Sequence, residues 1–253
     1  MNYEIYALGR AGKSLQLSID RHCPHWRRPV FNKKTADLLF LTVPDDQIGS
    51  VAQKLAQQDT LPPLIAHVSG VYSHLILEPL QDKTAIAQFH PLAALTGLHP
   101  IPEKSLCAIS SDQAWAQQIL TDLAHNLGLI PVSIRPDKVT EYHAAAVLTG
   151  NLTLALVLES VKLMQKAGIH PHKARLGLSQ LLHTVADNIA QQDILEALSG
   201  PVARRDFKTL QKHGTVLNPE VQHVYQVLSS WLLSELQNHK IQQGQKQDQS
   251  DQP

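Results

Sequence analysis

The sequence predicts an α/β domain built on a doubly wound, mostly parallel sheet, followed by an all-α domain. Two observations carry this. Through the first 135 residues, short runs rich in branched aliphatic residues alternate with helical patterns, the order that assembles a parallel sheet buried on both faces. Beyond Pro136 no further run of that kind appears, and apolar residues recur at helical spacing instead. The chain therefore divides into residues 1–135, residues 136–240 and a polar tail, 241–253.

Strands are expected at Glu4–Leu8, Val30–Asn32, Leu38–Val43, Leu64–His67, Ala85–Phe89, Leu106–Ile109 and Val132–Ile134. Between them, Gly12–Asp20, Asp46–Gln57 and Asp112–Leu127 read as helices. The last of these opens on Ser111-Asp112, an N-cap signal, and closes at Gly128, a C′ glycine. In the second half, helices are expected at Lys138–Ala167, Pro171–Ala190, Asp193–Leu198, Phe207–Lys212 and Pro219–Asn238. The final one has Asn218 as N-cap and Pro219 at its first position, the favoured order. From Gln242 onward the chain offers no apolar residue to offset its ordering entropy, so the tail reads as disordered. The stretch 144–158 carries no charge and is apolar all round, so it needs cover on several sides. A second subunit and the chain's own helical bundle could each supply that cover.

Composition narrows the function. The 253 residues suffice for one or two domains with real cores. Lys and Arg (22) balance Asp and Glu (22), which argues against a nucleic-acid binder or a polybasic membrane-surface protein. Small molecules or proteins are the expected partners. Cys23 and Cys107, 84 positions apart, form neither a disulfide framework nor a C-x-x-C knuckle, which fits a reduced, cytoplasmic setting. No basic and apolar leader opens the chain and no uncharged apolar run reaches about 18 residues, so no membrane association is expected.

The first strand runs into Ala7-Leu8-Gly9-Arg10-Ala11-Gly12, an A-x-G-x-x-G variant of the dinucleotide fingerprint. Gly9 would admit a pyrophosphate to the backbone, Gly12 would let the helix pack closely on the strand, and the helix N-terminus would carry the anion. Ala7 replaces the first glycine, and an ordinary strand-to-helix turn is the competing reading. Twenty residues after Gly12, where a carboxylate would hold a ribose hydroxyl, stand Asn32, Lys33 and Lys34, a set that suits a 2′-phosphate and hence NADP. A solvated lysine pair is the alternative. Val43 and Pro44, followed by Asp45 and Asp46, fall where the sheet's C-terminal edge should line the cofactor crevice.

Three of the 14 histidines sit at strand ends or a helix start: His67 before Ser69-Gly70, His90 before Pro91, and His143 in Tyr142-His143-Ala144-Ala145-Ala146. Imidazole suits proton transfer near neutral pH, although a satisfied core histidine is the commoner case. A metal site made by these three is a further possibility, but no H-x-x-x-H pair supports it and none is assigned. Asn151 follows His143 by eight residues, about 80° round a helix, so both can line one side of a cleft. Gly200-Pro201-Val202-Ala203-Arg204-Arg205-Asp206 concentrates two guanidinium groups and a carboxylate. Such a segment can bind an anionic group or a partner, or be a solvated loop.

Taken together, Gly9-Arg10-Ala11-Gly12, Val43-Pro44-Asp45, His67-Val68-Ser69-Gly70, His90-Pro91-Leu92, Tyr142-His143-Ala144-Ala145-Ala146 with Asn151, and Gly200 to Asp206 resemble the Rossmann-like proteins with a C-terminal DUF2520 domain. That family is related to pyrroline-5-carboxylate reductase, ketopantoate reductase and the β-hydroxyacid dehydrogenases. The resemblance implies a nucleotide-binding first domain, a helical domain that commonly forms a dimer, and a site between them. Two departures stand out. Arg205 replaces the glycine of the family's Gly-Pro-x-x-Arg-Gly-Asp pattern, and Val147 stands where β-hydroxyacid dehydrogenases carry their catalytic lysine.

The leading expectation is thus an NADP-dependent oxidoreductase acting on a small carbonyl or imine. His143 or His90 would carry the proton, Ser69 and Asn151 would hold the reacting oxygen or nitrogen, and His67, Arg204 and Asp206 would contact substrate, with Arg204 anchoring a carboxylate. Gly9, Arg10, Ala11, Gly12, Asn32, Lys33, Val43 and Pro44 would hold NADP, and a homodimer would form through the helical domain. The alternative is a non-catalytic NADP(H)-binding dimer that acts as sensor or adaptor.

Overall fold

The computed structural model describes residues 1–27 and 36–250. They form two compact units, Met1–Leu152 and the chain from Thr153 onward. The expected strand Val30–Asn32, and Lys33 and Lys34 with it, lie outside the described residues.

In the first unit the order is β1 (Tyr3–Tyr6), α1 (Arg10–His22), β2 (Leu38–Leu41), a 3-10 turn (Asp45–Gln47), α2 (Ile48–Ala56), β3 (Leu64–His67), a longer 3-10 segment (His74–Leu80), β4 (Ala85–Pro91), β5 (Leu106–Ser110), α3 (Ala114–Asn126), β6 (Ile130–Ser133) and α4 (Val139–Thr149). Among the described residues the six strands pair in sequence order. β1 to β4 are parallel, β5 runs antiparallel to β4, and β6 is parallel to β5. The reversal follows from the β4–β5 connection, which has no crossover helix to carry the chain back to the sheet's other end. Arg27 forms a parallel bridge with Asn2 on the edge of β1 opposite β2, so the chain passes along both sides of β1.

The two faces of the sheet hold separate cores. Leu15 and Ile19 of α1 and Leu120 and Leu123 of α3 pack with Tyr3, Phe40 and Phe89. Ile48, Val51 and Leu55 of α2 pack with Leu39, Leu41, Ile65 and the 3-10 segment's Leu77 and Leu80. β2 is buried at every residue, the continuous apolar run expected of a strand covered on both faces. Two buried serines one helical turn apart on α1 hold the β4–β5 connection: Ser14 Oγ accepts from Gly97 N–H at 3.2 Å and Ser18 Oγ from Ile101 N–H at 2.8 Å.

The second unit contains most of α5 (Asn151–Lys166), then α6 (Pro171–Gln191), α7 (Gly200–Ala203), α8 (Phe207–Gly214) and α9 (Pro219–Ser250). Four expectations change here. The helix expected over Lys138–Ala167 is two helices that meet at Gly150, and the first of them, with Val139 buried, belongs to the first unit, so the division falls at Leu152 instead of Arg135. Asp193–Leu198 forms turns, not a helix. The tail read as disordered continues α9 as far as Ser250. Glutamine and lysine are good helix formers, and extending an existing helix carries no nucleation cost, so a segment without a core to join can still be helical.

The helical unit buries little. Among its described residues only Ala174 and Leu178 of the apolar side chains are buried, while Leu154, Leu158, Leu181, Val185, Ile189 and Trp231 are exposed. An apolar hollow of about 1050 Å³ is lined by Leu156 and Leu163 of α5, Val202 of α7, and Val221, Val224 and Leu228 of α9. The stretch Pro136–Lys166 is long and apolar enough, by length and composition, to cross a membrane, and none of its most apolar window is buried.

Candidate functional site

The turn after β1 is tight and is held by β2. Ala7 adopts a positive φ of 70°, the left-handed region that glycine occupies freely, and so takes the conformation of the glycine it replaces. Thr42 Oγ1, at the end of β2, donates to Ala7 O and holds the turn down. Gly12 has no room for a side chain: a Cβ there would fall 2.5 Å from Thr42 Oγ1 and 2.8 Å from Ala7 O. Gly9 is the N-cap of α1, and among the described residues no side chain caps the first N–H groups. The first turn of α1, from Arg10 through Ala11 to Gly12, therefore presents unpaired donors and the positive end of the helix dipole, a seat for a phosphate. Val43 and exposed Pro44 follow β2 at the same edge of the sheet. Asn32 and Lys33 lie outside the described residues.

At the end of β3, in the loop that follows it and at the start of α5, three of the expected residues stand apart from a common site. His67 is fully buried; its Nδ1 accepts from Ser69 N–H at 3.1 Å and its Nε2 donates to Ser73 O at 3.0 Å. Burial pulls its pKa down to about 4, against the hydrogen bond to Ser73 that favours the charged form. With both nitrogens engaged inside the protein, His67 shapes the loop 68–73 and is not available to a substrate. Ser69 is likewise buried, its Oγ accepting from Val71 N–H and its carbonyl from Gln88 Nε2. Asn151 is exposed at the start of α5 and is not among the residues of the hollow beside His143.

His90 and His143 do come together, at Gly70. A Cβ on Gly70 would lie 2.7 Å from both Cε1 and Nε2 of His90 and 2.9 Å from Cδ2 of His143, so both rings rest on the glycine. On its other side His90 Nδ1 is 3.0 Å from the hydroxyl of Tyr142, whose ring meets it edge-on at 88°. Burial lowers the His90 pKa to about 4, the neighbouring His143 acts in the same direction, and Asp45 opposes them. Near neutrality His90 is therefore an uncharged imidazole, not a proton donor by charge. Burial also raises the Tyr142 phenol above its ordinary range. His143 lines an apolar hollow of about 450 Å³ with Val71, Val147, Leu148 and Leu152.

Beneath the loop runs a buried polar chain. His74 meets Ser110 Oγ at 3.0 Å, Ser110 donates to Gln88 Oε1 at 3.2 Å, and Gln88 donates to Ser69 O at 2.9 Å. The far edge of the His74 ring faces Asp112 at 3.1 Å. Among the described residues no cluster of three or more metal-ligating side chains forms.

In the second unit Arg204 is exposed and Asp206 caps α8, accepting from Thr209 N–H at 3.1 Å and from its hydroxyl at 2.7 Å. Those bonds lower its pKa, and they make it a helix cap instead of a substrate ligand. Arg205 has a φ of 55°, so the place where the sequence departs from Gly-Pro-x-x-Arg-Gly-Asp is a left-handed one.

Sequence reasoning missed Tyr142, Gly70, Asp45 and the His74–Asp112 pair as parts of this cluster. Tyr142 stands beside His143 in the chain, but its partner is 52 residues away, and no local spacing signals such a pair.

Comparison with known proteins matches the chain to two family profiles, whose boundary falls between residues 93 and 105, inside the first unit. The family profile for the domain of unknown function DUF2520 matches residues 105–231, and a Rossmann-like domain profile matches residues 4–93. No curated protein matches the sequence. Among solved structures, a proposed NADP oxidoreductase from Bacteroides fragilis is similar with a TM-score of 0.73 at 15% identity, covering 92% of this chain and 98% of that one. A Thermotoga maritima protein gives 0.71 at 22%, covering 95% and 100%. Plasmodium falciparum pyrroline carboxylate reductase, solved with NADP bound, gives 0.62 at 12%, covering 93% and 97%. At these identities the likeness is one of fold.

Proposed function

The chain belongs to the DUF2520 family and begins with a Rossmann-like domain, and from that premise we propose that it is an NADP-dependent oxidoreductase acting on a small carbonyl or imine. The fold is consistent with NAD(P)-binding oxidoreductase activity. The observation that carries the finer reading is the coexistence, in one unit, of an uncapped helix N-terminus behind β1 and two imidazoles that both lie against Gly70.

The dinucleotide, when bound, supplies or accepts the hydride. The chain's own part is to hold and orient. The N–H groups of the first turn of α1 would hold the diphosphate, Asn32 and Lys33 would bind the 2′-phosphate, and Val43 and Pro44 would flank the crevice. His143 gives up or takes the proton at the reacting oxygen or nitrogen, and its hollow receives the apolar part of the substrate.

We further propose that the protein is a cytoplasmic homodimer. Its two cysteines are free, and a second copy covers the helical unit's exposed leucines and valines. Light scattering with size separation checks the dimer; a stable monomer would overturn it.

One observation favours a non-catalytic sensor: Val147 stands where a lysine would serve the β-hydroxyacid dehydrogenase chemistry. Titration of NADPH and NADH by nicotinamide fluorescence, with Lys33→Asp as control, tests the cofactor site. Tighter NADPH binding that weakens in the variant is expected. His143→Ala then separates the readings, because an enzyme loses turnover at unchanged nucleotide affinity and a sensor has no turnover to lose.

A further inference from the structure

We propose that Tyr142 is a positioning residue whose hydroxyl donates to Nδ1 of His90, fixing that ring as the Nε2–H tautomer, so that His90 offers the site a neutral hydrogen-bond donor at Gly70. The division of labour this implies, with His90 polarising the reacting atom and His143 moving the proton, rests on the oxidoreductase reading; the tautomer itself does not.

The two heavy atoms are 3.0 Å apart, which leaves the direction of the bond to chemistry. A half-buried phenol carries one proton that needs an acceptor, and among the described contacts His90 Nδ1 is the one it meets. The imidazole lone pair is a strong acceptor. In the reverse arrangement the ring would donate to the phenol oxygen and the phenol proton would turn to solvent, forgoing the stronger imidazole acceptor beside it. The edge-on packing of the two rings, at 88° and 5.5 Å between centres, holds the ring's orientation as well.

With Nδ1 occupied, the ring's other nitrogen decides its chemistry. The Cε1–Nε2 edge of the ring faces Gly70, the one residue type with no side chain to cover it. The charged and titratable groups around the ring are Asp45, His143, His67 and Tyr142. Burial keeps the imidazole uncharged near neutrality, so its capacity to donate comes from the tautomer and not from a positive charge. A neutral imidazole held in this way polarises a carbonyl or imine without transferring its proton.

The test is long-range proton–nitrogen correlation NMR on the full chain labelled with ¹⁵N-histidine, with His90 assigned by His90→Gln. The expected spectrum shows His90 with a protonated Nε2 and an unprotonated Nδ1 at neutral pH. In Tyr142→Phe that signature gives way to a mixture of tautomers. A protonated Nδ1 at His90 in the unaltered protein overturns the proposal, and that reading does not depend on Tyr142→Phe folding. So does a Tyr142→Phe spectrum identical to the parent's. In turnover, Tyr142→Phe should lower kcat by about tenfold with KM for NADPH unchanged. If no nicotinamide binds at all, the oxidoreductase reading fails while the tautomer still reports on Tyr142.

Discussion

Gly70 and His90 lie so close that a side chain on the glycine would sit inside the imidazole's van der Waals surface, with Cβ 2.7 Å from two ring atoms. The ring cannot simply swing away, because Tyr142 holds its other edge. Gly70→Ala should therefore destabilise the first unit by about 1–3 kcal/mol, the usual range for overpacking. Thermal or urea unfolding checks it. An alanine variant as stable as the parent would show that the loop 68–73 yields easily.

Ala7 holds a left-handed backbone at a cost of about 1 kcal/mol, which glycine would not incur. Ala7→Gly should raise the unfolding midpoint and leave nucleotide binding intact or tighter. Gly12→Ala, one turn on, should do the opposite, since its Cβ would meet Thr42 Oγ1 and Ala7 O. The pair is informative because both changes involve a single methyl group.

His67 predicts how stability depends on pH. Its folded pKa, about 4, lies below the ordinary 6.5, so the unfolded chain binds the proton more readily. Between those values unfolding takes up protons. Stability from this group is full above about pH 6.5 and is lost as the pH falls toward 4, by on the order of 3 kcal/mol. His90 adds to the same trend, with a similar pKa. Urea unfolding measured at several values across that window should show the decline, and His67→Gln should flatten it.

Asp206→Ala should remove the N-cap, loosen the start of α8 and lower the unfolding midpoint. Arg205→Gly should have the opposite sign, because Arg205 holds a positive φ. If Asp206→Ala leaves stability untouched, its place as a helix cap is wrong.

Much of the architecture was legible in the chain. β3 begins and ends at the expected residues, Leu64 and His67, and Pro171 opens α6 where its fixed φ favours a first helical position. The glycine turn was legible too, since the demand for a missing side chain at Gly12 comes from atoms a few residues away and from the strand next door. What misled was character without context. A histidine at a strand end looks the same whether its nitrogens are free or used, and His67 proves to be satisfied by its own loop. Asp206 looks like a ligand beside two arginines until Thr209 is seen to need a cap.

By itself, then, the sequence determined the alternation of strands and helices, the two-part organisation and the helix N-terminus behind β1, because periodicity and backbone sterics act over a few residues. Only the tertiary structure decided which histidines meet. Gly70, His90 and Tyr142 come from a loop, a strand and a helix, and their contact depends on how three separate elements pack at one edge of the sheet. Packing of that kind is set by the whole of the two cores, and no stretch of chain short enough to carry a pattern contains it.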